Sequence, residues 1–185
     1  DEYGFMVANS DGCQMVENKA VMNKHHGFAL LYHSDYPVFL DNLADSNIRN
    51  GFHITGYSHD RVSSGTFTDN EARDNLQDGF YIRHSELCNL TGNHADNNSQ
   101  YGYEIRETVA LDGTSNTAFE NGYDGFYLTQ SDSGCLNSNV ASQNTQSGFN
   151  LTDTDVWNLT ENTATGNSKC GFSVDSSDGW ILGHN

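Results

Sequence analysis

A glycine followed by an aromatic residue recurs eight times, at Gly4-Phe5, Gly27-Phe28, Gly51-Phe52, Gly79-Phe80, Gly102-Tyr103, Gly125-Phe126, Gly148-Phe149 and Gly171-Phe172. Five of the seven intervals are 23 residues long; the second is 24 and the third is 28. With the glycine as position 1, position 4 is always aliphatic: Val7, Leu30, Ile54, Ile82, Ile105, Leu128, Leu151 and Val174. Allowing for one extra residue in the second repeat and five in the third, Asn recurs at position 15 (Asn18, Asn42, Asn70, Asn93, Asn116, Asn139, Asn162). Ala recurs at position 17 (Ala20, Ala44, Ala72, Ala95, Ala118, Ala141, Ala164), and Asn again at position 20 (Asn23, Asn47, Asn75, Asn98, Asn121, Asn144, Asn167). A period this strict is the signature of stacked structural units, each of which contacts only its neighbours.

Within each unit, apolar positions 2 and 4 alternate with polar ones, which is strand periodicity. A second short strand is expected around position 12 (Met15, Phe39, Phe67, Leu90, Leu136, Leu159) and a third near position 17, where only Ala fits the interior. One coil of short strands cannot bury its inner face alone, but coils stacked ~4.8 Å apart as parallel sheets can. The expected fold is therefore all-β: a right-handed parallel β-helix, or solenoid, of about eight coils. The Asn columns are expected to bond the neighbouring coil and satisfy backbone groups at the turns, and the repeat glycine to supply a turn conformation that other residues resist. Residues 1–185 read as a single β-helix domain. The chain opens inside a repeat without an initiator Met, so it reads as a fragment or processed part of something longer. Uncapped ends of the stack predict flanking domains or end-to-end self-association.

The charge narrows the partners. A formal net charge of −17 argues against nucleic acid and against an anionic membrane surface. No apolar run of ~18 residues is present, so membrane insertion is not expected. An acidic body of this kind suits a secreted, cell-surface or periplasmic protein. Cys13, Cys88, Cys135 and Cys170 are too dispersed for a CxxC site. Cys13 and Cys88 share one position but lie three coils apart, ~14 Å, beyond disulfide reach, so buried or half-buried free thiols are expected. His25-His26 lacks a third ligand, and no metal site is expected.

Outward positions 3 and 5 of the first strand vary most. They are bland in the outer coils but carry His53, Tyr81 with Arg83, Glu104 with Arg106, and Tyr127 in the middle ones; position 6 adds Tyr32, His84 and Glu107, and position 7 adds His33. Of eight Lys and Arg residues, Arg61, Arg83 and Arg106 are expected to gather beside or on this patch. Arg83 and Arg106 share a position in adjacent coils, ~5 Å apart, so Glu104, Glu107, Asp60 or an anionic ligand must offset their repulsion. The patch reads either as a solvated charge ladder or as a carboxylate-binding groove. The five-residue insertion falls between Thr55 and Phe67 and is expected to bring Tyr57, His59, Asp60 and Arg61 beside Arg83 and His84. Loops on a rigid scaffold are where function concentrates.

The whole chain resembles the parallel β-helix family that includes mannuronan C5-epimerases, polysaccharide lyases and periplasmic copper-site maturation proteins, whose repeats share an N-G-aromatic-x-aliphatic pattern with spaced Asn. "YSHDR" at Tyr57 to Arg61 is similar to the Asp-Pro-His-Asp/Glu signature of the epimerases, with Tyr57 and Ser58 standing where they have Asp and Pro. "DNEARDNLQDGFYI" after it is similar to the coil that follows that signature. The resemblance implies His59 as catalytic acid/base, Asp60 as its acidic partner and Arg83, or less directly His84, as neutraliser of the substrate carboxylate. Tyr57, Tyr81 and Tyr127 are the phenols available as second proton carrier, and a phenol acts as base only if neighbouring Arg lowers its pKa. Arg61, Arg106, Tyr81, His84, Glu104 and Tyr127 complete the expected substrate-binding set. The implied partner is an acidic polysaccharide and the implied activity C5-epimerisation or lysis, with no cofactor required and Ca²⁺ bridging compatible. The opposing reading is a non-catalytic structural, adhesive or fibre-forming β-helix, or a copper-maturation relative.

Overall fold

The computed structural model describes residues 2–179 and 181–185. Each coil passes through three short strands; in the fifth these are Tyr103–Arg106, Asp112–Thr114 and Thr117–Phe119. Like strands stack in parallel into three sheets of eight, eight and seven strands, with a two-stranded extra pair, Val62–Ser63 with Ser85–Glu86, in the third and fourth coils. Coil-to-coil pairing keeps the repeat in register: Phe52, Phe80, Tyr103 and Phe126 are direct partners, as are Thr55, Arg83, Arg106 and Thr129. The expected β-solenoid of about eight coils is what forms.

The core is a set of columns. Phe5, Phe28, Phe52, Phe80, Tyr103, Phe126, Phe149 and Phe172 stack with ring centroids 4.5–5.0 Å apart and planes within 5°. Beside them run the aliphatic position-4 column and the alanine column, whose middle members are fully buried. Each large side chain so buried contributes roughly 1.5–3 kcal/mol. Tyr103 replaces Phe without leaving a stranded hydroxyl, because it donates to the Asn93 carbonyl at 2.8 Å.

Two buried asparagine ladders lock the coils together. Asn93 Oδ1 accepts from the backbone and side-chain nitrogens of Asn70, while Asn93 Nδ2 donates to the Phe67 carbonyl and to Asn116 Oδ1, all within 3.0 Å. The same pattern continues to Asn162, which donates to Asn185. The second ladder runs from Asn23 to Asn167. The ladders thus bond both backbone and side chain of the neighbouring coil, as expected.

The repeat glycines do something other than turn the chain. None of the eight has a left-handed backbone. A Cβ on Gly79 would lie 2.8 Å from the Gly102 carbonyl oxygen and 2.9 Å from both Ala95 Cβ and Asn98 Nδ2. From Gly4 to Gly148, Gly is required because the Ala and Asn columns pass too close for any side chain; at Gly171 the nearest atom is Ala164 Cβ at 3.4 Å. The corners are made by other residues: Glu107, Ala110, Ser115 and Glu120 in the fifth coil all have φ between 50° and 56°. Each such corner costs about 1 kcal/mol or more, offset by its N–H bonding the next coil, as in Glu107 to Thr129 at 3.1 Å and Ala110 to Asp132 at 3.0 Å.

Gly79→Ala is expected to lower stability by about 1–3 kcal/mol through overpacking. Asn93→Ala should lower it by about 3 kcal/mol by leaving buried amide and carbonyl groups unpaired. Exposed Asn89→Ala should change it by less than about 0.5 kcal/mol; urea midpoints of the three variants check this ordering.

Candidate functional site

In the third coil, Gly56 occupies the corner that Tyr32, His84 and Glu107 occupy in their coils. A Cβ there would meet the His84 carbonyl oxygen at 2.6 Å and Val62 N at 2.7 Å, so only Gly lets the inserted segment leave and rejoin at one point. Tyr57 and Asp60 exchange backbone hydrogen bonds at 2.8 and 3.1 Å, closing a tight turn, and Val62 N returns the chain to register by donating to the His84 carbonyl at 3.2 Å.

The turn leans toward the second coil. Tyr57 stacks on Tyr32 with centroids 4.9 Å apart and against His59 at 5.9 Å. Asp60 accepts from His33 Nδ1 at 2.7 Å. Arg61 reaches the other way and donates to the backbone carbonyls of Ser85 and Glu107. Among the described residues, no hydrogen bond or ion pair joins Tyr57, His59 or Asp60 to Arg83 or Arg106. The expected grouping therefore divides: Gly56 and Arg61 sit at His84 and Glu107, while Tyr57, His59 and Asp60 gather with Tyr32 and His33. Asp60 orients His33 and makes no recorded bond to His59.

On the face of the first sheet, Arg83 and Arg106 stand in register and each is answered by a carboxylate. Arg83 donates to Glu107 Oε1 at 2.7 Å from NH2, and His84 Nε2 bonds the other oxygen. Arg106 pairs with Glu104 and lies 5.7 Å over the Tyr127 ring. Both guanidinium side chains remain about 40 % exposed, at 41 % and 39 %. Burial alone would raise the Glu107 carboxyl; hydrogen bonds from His84 and Arg83 outweigh it and hold the group below its usual value. Burial raises the Tyr81 phenol despite Arg83, and Tyr57 is raised by desolvation and by Tyr32. Neither phenol therefore meets the condition for acting as a base, which is a pKa lowered by neighbouring Arg.

A groove of about 460 Å³ crosses the same face and is lined by His26, His53, Tyr81 and Glu104, with Arg49 and Tyr32 at its margins. His26, His53 and Tyr81 stack along the rod axis at 4.1 and 5.0 Å, so their ring edges point outward. Asn50 sets their tautomers. Its Oδ1 accepts from Asp78 N at 3.1 Å, its backbone N donates to His26 Nδ1 at 3.2 Å, and its Nδ2 meets His53 Nδ1 at 3.2 Å. Both Nδ1 atoms are therefore acceptors, and each neutral ring carries its proton on Nε2. Burial, with the neighbouring His and Arg49 charges, pushes His26 down to about 2 and His53 down to about 4. Asp78, buried beside Glu104, is pushed up to about 8. Glu104 faces outward as expected, lining the groove and pairing with Arg106, but is itself buried there.

Asn50 and Asp78 escaped sequence reasoning, and His26 entered it only as half of a metal pair, because they precede the repeat glycine, where residue type varies from coil to coil. Their signal is positional: each hydrogen-bonds the next member of that column. The four cysteines are free, as expected, though Cys170 is exposed.

The family model described as "Right handed beta helix region" matches residues 61–185, and that described as "Periplasmic copper-binding protein (NosD)" matches residues 1–108. No curated protein matches the chain. Among solved structures, a point mutant of the periplasmic alginate epimerase AlgG superposes with a TM-score of 0.79 at 18 % identity, covering 92 % of this chain and 50 % of that one. The mannuronan C-5 epimerase AlgE4 A-module of Azotobacter vinelandii gives 0.63 at 12 %, covering 88 % and 56 %. Pectate lyase Pel9A gives 0.62 at 15 %, covering 84 % and 50 %. The chain thus spans about half the length of the solved structures it matches. The histidines of the groove do not fit a copper ion: both Nδ1 atoms are engaged by Asn50 and both Nε2 atoms carry protons. His25 Nδ1 is buried without a partner but is a single donor, and among the described residues no three ligand atoms converge there.

The neutral histidines make stability pH-dependent. Unfolded, each titrates near 6.5; folded, they bind protons only near 2 and 4. Their contribution is complete above pH 6.5 and is lost as pH falls from there toward the folded values, by up to about 1.4 kcal/mol per pH unit per histidine. Asp78 acts oppositely, since its folded form keeps a proton up to about 8; its contribution is full below the ordinary carboxyl value and is lost as pH rises. His53→Gln isolates one histidine. The fall in urea-unfolding free energy from pH 7 to pH 5 should shrink by roughly 1–2 kcal/mol, whereas an unchanged fall would show that His53 is not held neutral.

Proposed function

This chain belongs to the right-handed β-helix family, and on that premise we propose that it binds a polyuronate along the face of its first sheet and acts on it as a C5-epimerase of the mannuronan type. The observation that carries this reading is the register pair Arg83 and Arg106. These two half-exposed cations stand one coil apart on a rod of net charge −17, with Tyr81 beside them and the inserted turn at the adjoining corner. One coil rises ~4.8 Å, close to the length of one 1,4-linked pyranose, so a glycan laid along the axis meets one coil per sugar. Both arginines already hold carboxylates. The Arg83–Glu107 pair is partly exposed on both sides, and such pairs are worth only about 0–1 kcal/mol, so a substrate carboxylate can take the place of Glu107 at little cost; Glu104 is buried and stays on Arg106.

The chemistry assigns each group a role. Removing H5 of a uronate builds negative charge on the carboxylate, and Arg83 offsets it where it develops. His59 takes the proton, and a protonated phenol, Tyr81, delivers one from the opposite face; Tyr57, stacked against His59, lies on the same side as the base. The pKa of Tyr81, raised by burial, favours the donor role. Arg106, Tyr127, His84 and Arg61 hold the polymer and the corner. No cofactor is needed for these proton transfers. A periplasmic or extracellular location follows from the substrate.

A non-catalytic rod is the second reading, favoured by the capture of Asp60 by His33 and of Arg61 by backbone carbonyls. Polymannuronate incubated in deuterated water separates the two. The epimerase reading predicts H5 exchange that falls at least ~100-fold in His59→Ala and in Arg83→Gln. Absence of exchange in the intact chain contradicts catalysis, and exchange that survives His59→Ala contradicts the assignment of the base.

A further inference from the structure

On the far side of the inserted turn from Arg83, ligand atoms of Asp11, His33 and Asp35 lie within 4.8 Å of one another. His33 Nδ1 is tied to Asp60 at 2.7 Å, which in the neutral ring puts the proton on Nδ1 and leaves the Nε2 lone pair free. That atom faces Asp11 Oδ1 at 3.9 Å, too far for a hydrogen bond. Ligands ~2.1 Å from one tetrahedral ion lie about 3.4 Å apart, so a shift of a few tenths of an ångström would let both bind the same ion. Asp35 is itself positioned, since its N–H donates to Asp11 Oδ1 at 3.0 Å and its own Oδ1 accepts from Ser63 Oγ at 2.9 Å. Its second oxygen is left to ligate.

The fold supplies an internal comparison. Asp11 and Asp35 share one position of the repeat, and Asp132, Asp155 and Asp178 occupy the same position in the last three coils. Those three acids stack with no imidazole beside them and form no such convergence among the described residues. What distinguishes the first two coils is His33 with its carboxylate partner. A ring nitrogen oriented by a carboxylate on its other nitrogen is how proteins present histidine to a metal.

We propose that Asp11, His33 and Asp35 bind a borderline divalent transition cation of the Zn²⁺ type, with Asp60 as the positioning residue that orients the imidazole. One nitrogen and two carboxylates suit such an ion better than Ca²⁺, which takes oxygen ligands. Two negative charges stacked one coil apart would be neutralised by it. Three protein ligands leave a fourth position open. Because Asp60 lies in the inserted turn, the ion would fasten that turn to the first two coils. The site does not depend on the epimerase reading.

Calorimetric titration of the chelator-treated chain with Zn²⁺, together with the visible spectrum of the Co²⁺ form, tests this. One site per chain is expected, abolished in His33→Gln and in Asp35→Asn, with the Co²⁺ bands lost in both. Asp60→Asn should weaken binding about 10–100-fold, and Asp155→Asn should leave it unchanged. Absence of binding in the intact chain overturns the proposal, as does binding that survives His33→Gln. Unweakened binding in Asp60→Asn overturns the positioning role. Matching far-UV circular dichroism of the variants shows that they are folded.

Discussion

Every coil depends on an asparagine side chain doing the work of a backbone. At positions 15 and 20 the chain turns, and a turn strands peptide groups that a strand would pair. Asn42, Asn70 and Asn93 each accept a backbone N–H from the coil before and donate to a backbone carbonyl of that same coil. Buried and repeated, these bonds fix the rise and the register at once. They also explain the glycine: a Cβ on Gly79 would lie 2.9 Å from both the Asn98 amide and the Ala95 Cβ.

Once register is fixed, function becomes a matter of columns. Whatever stands at one position of the repeat stands a single rise from its counterpart, so a few substitutions write a site. Arg83 below Arg106, His53 below Tyr81, and Asp11 below Asp35 arise in this way. The third coil, with five extra residues, departs furthest from the pattern. With Gly56 at the corner, the chain leaves and re-enters without disturbing the ladders, and the turn it forms bonds outward to His33 on one side and to the Glu107 carbonyl on the other.

The sequence made most of this fold legible because each column leaves its own periodic trace. The second-sheet residues Phe39, Phe67 and Leu90 and the buried alanines stand where periodicity puts them. The corners were not legible, because left-handed backbone is adopted here by Leu87, Ala110 and Val156, whose residue types carry no turn signal. The role of the repeat glycine was misread for a related reason: its constraint comes from atoms one coil away, which no local rule sees. Within the site, register and charge named Glu104 and Glu107 among the groups able to offset the two arginines, but not which carboxylate meets which guanidinium. The leaning of Tyr57 and Asp60 toward Tyr32 and His33 did not, since an insertion has no counterpart in the repeat to fix its direction.

The central functional claim is that the arginine column on the first sheet receives a uronate carboxylate. A crystal structure of the chain soaked with a mannuronate oligosaccharide tests it most directly. The account predicts an oligosaccharide running along the rod axis, with a carboxylate at hydrogen-bonding distance from Arg83 or Arg106 and, where Arg83 is the partner, Glu107 displaced. An oligosaccharide bound on another face, with both arginines still paired to their glutamates, would contradict it.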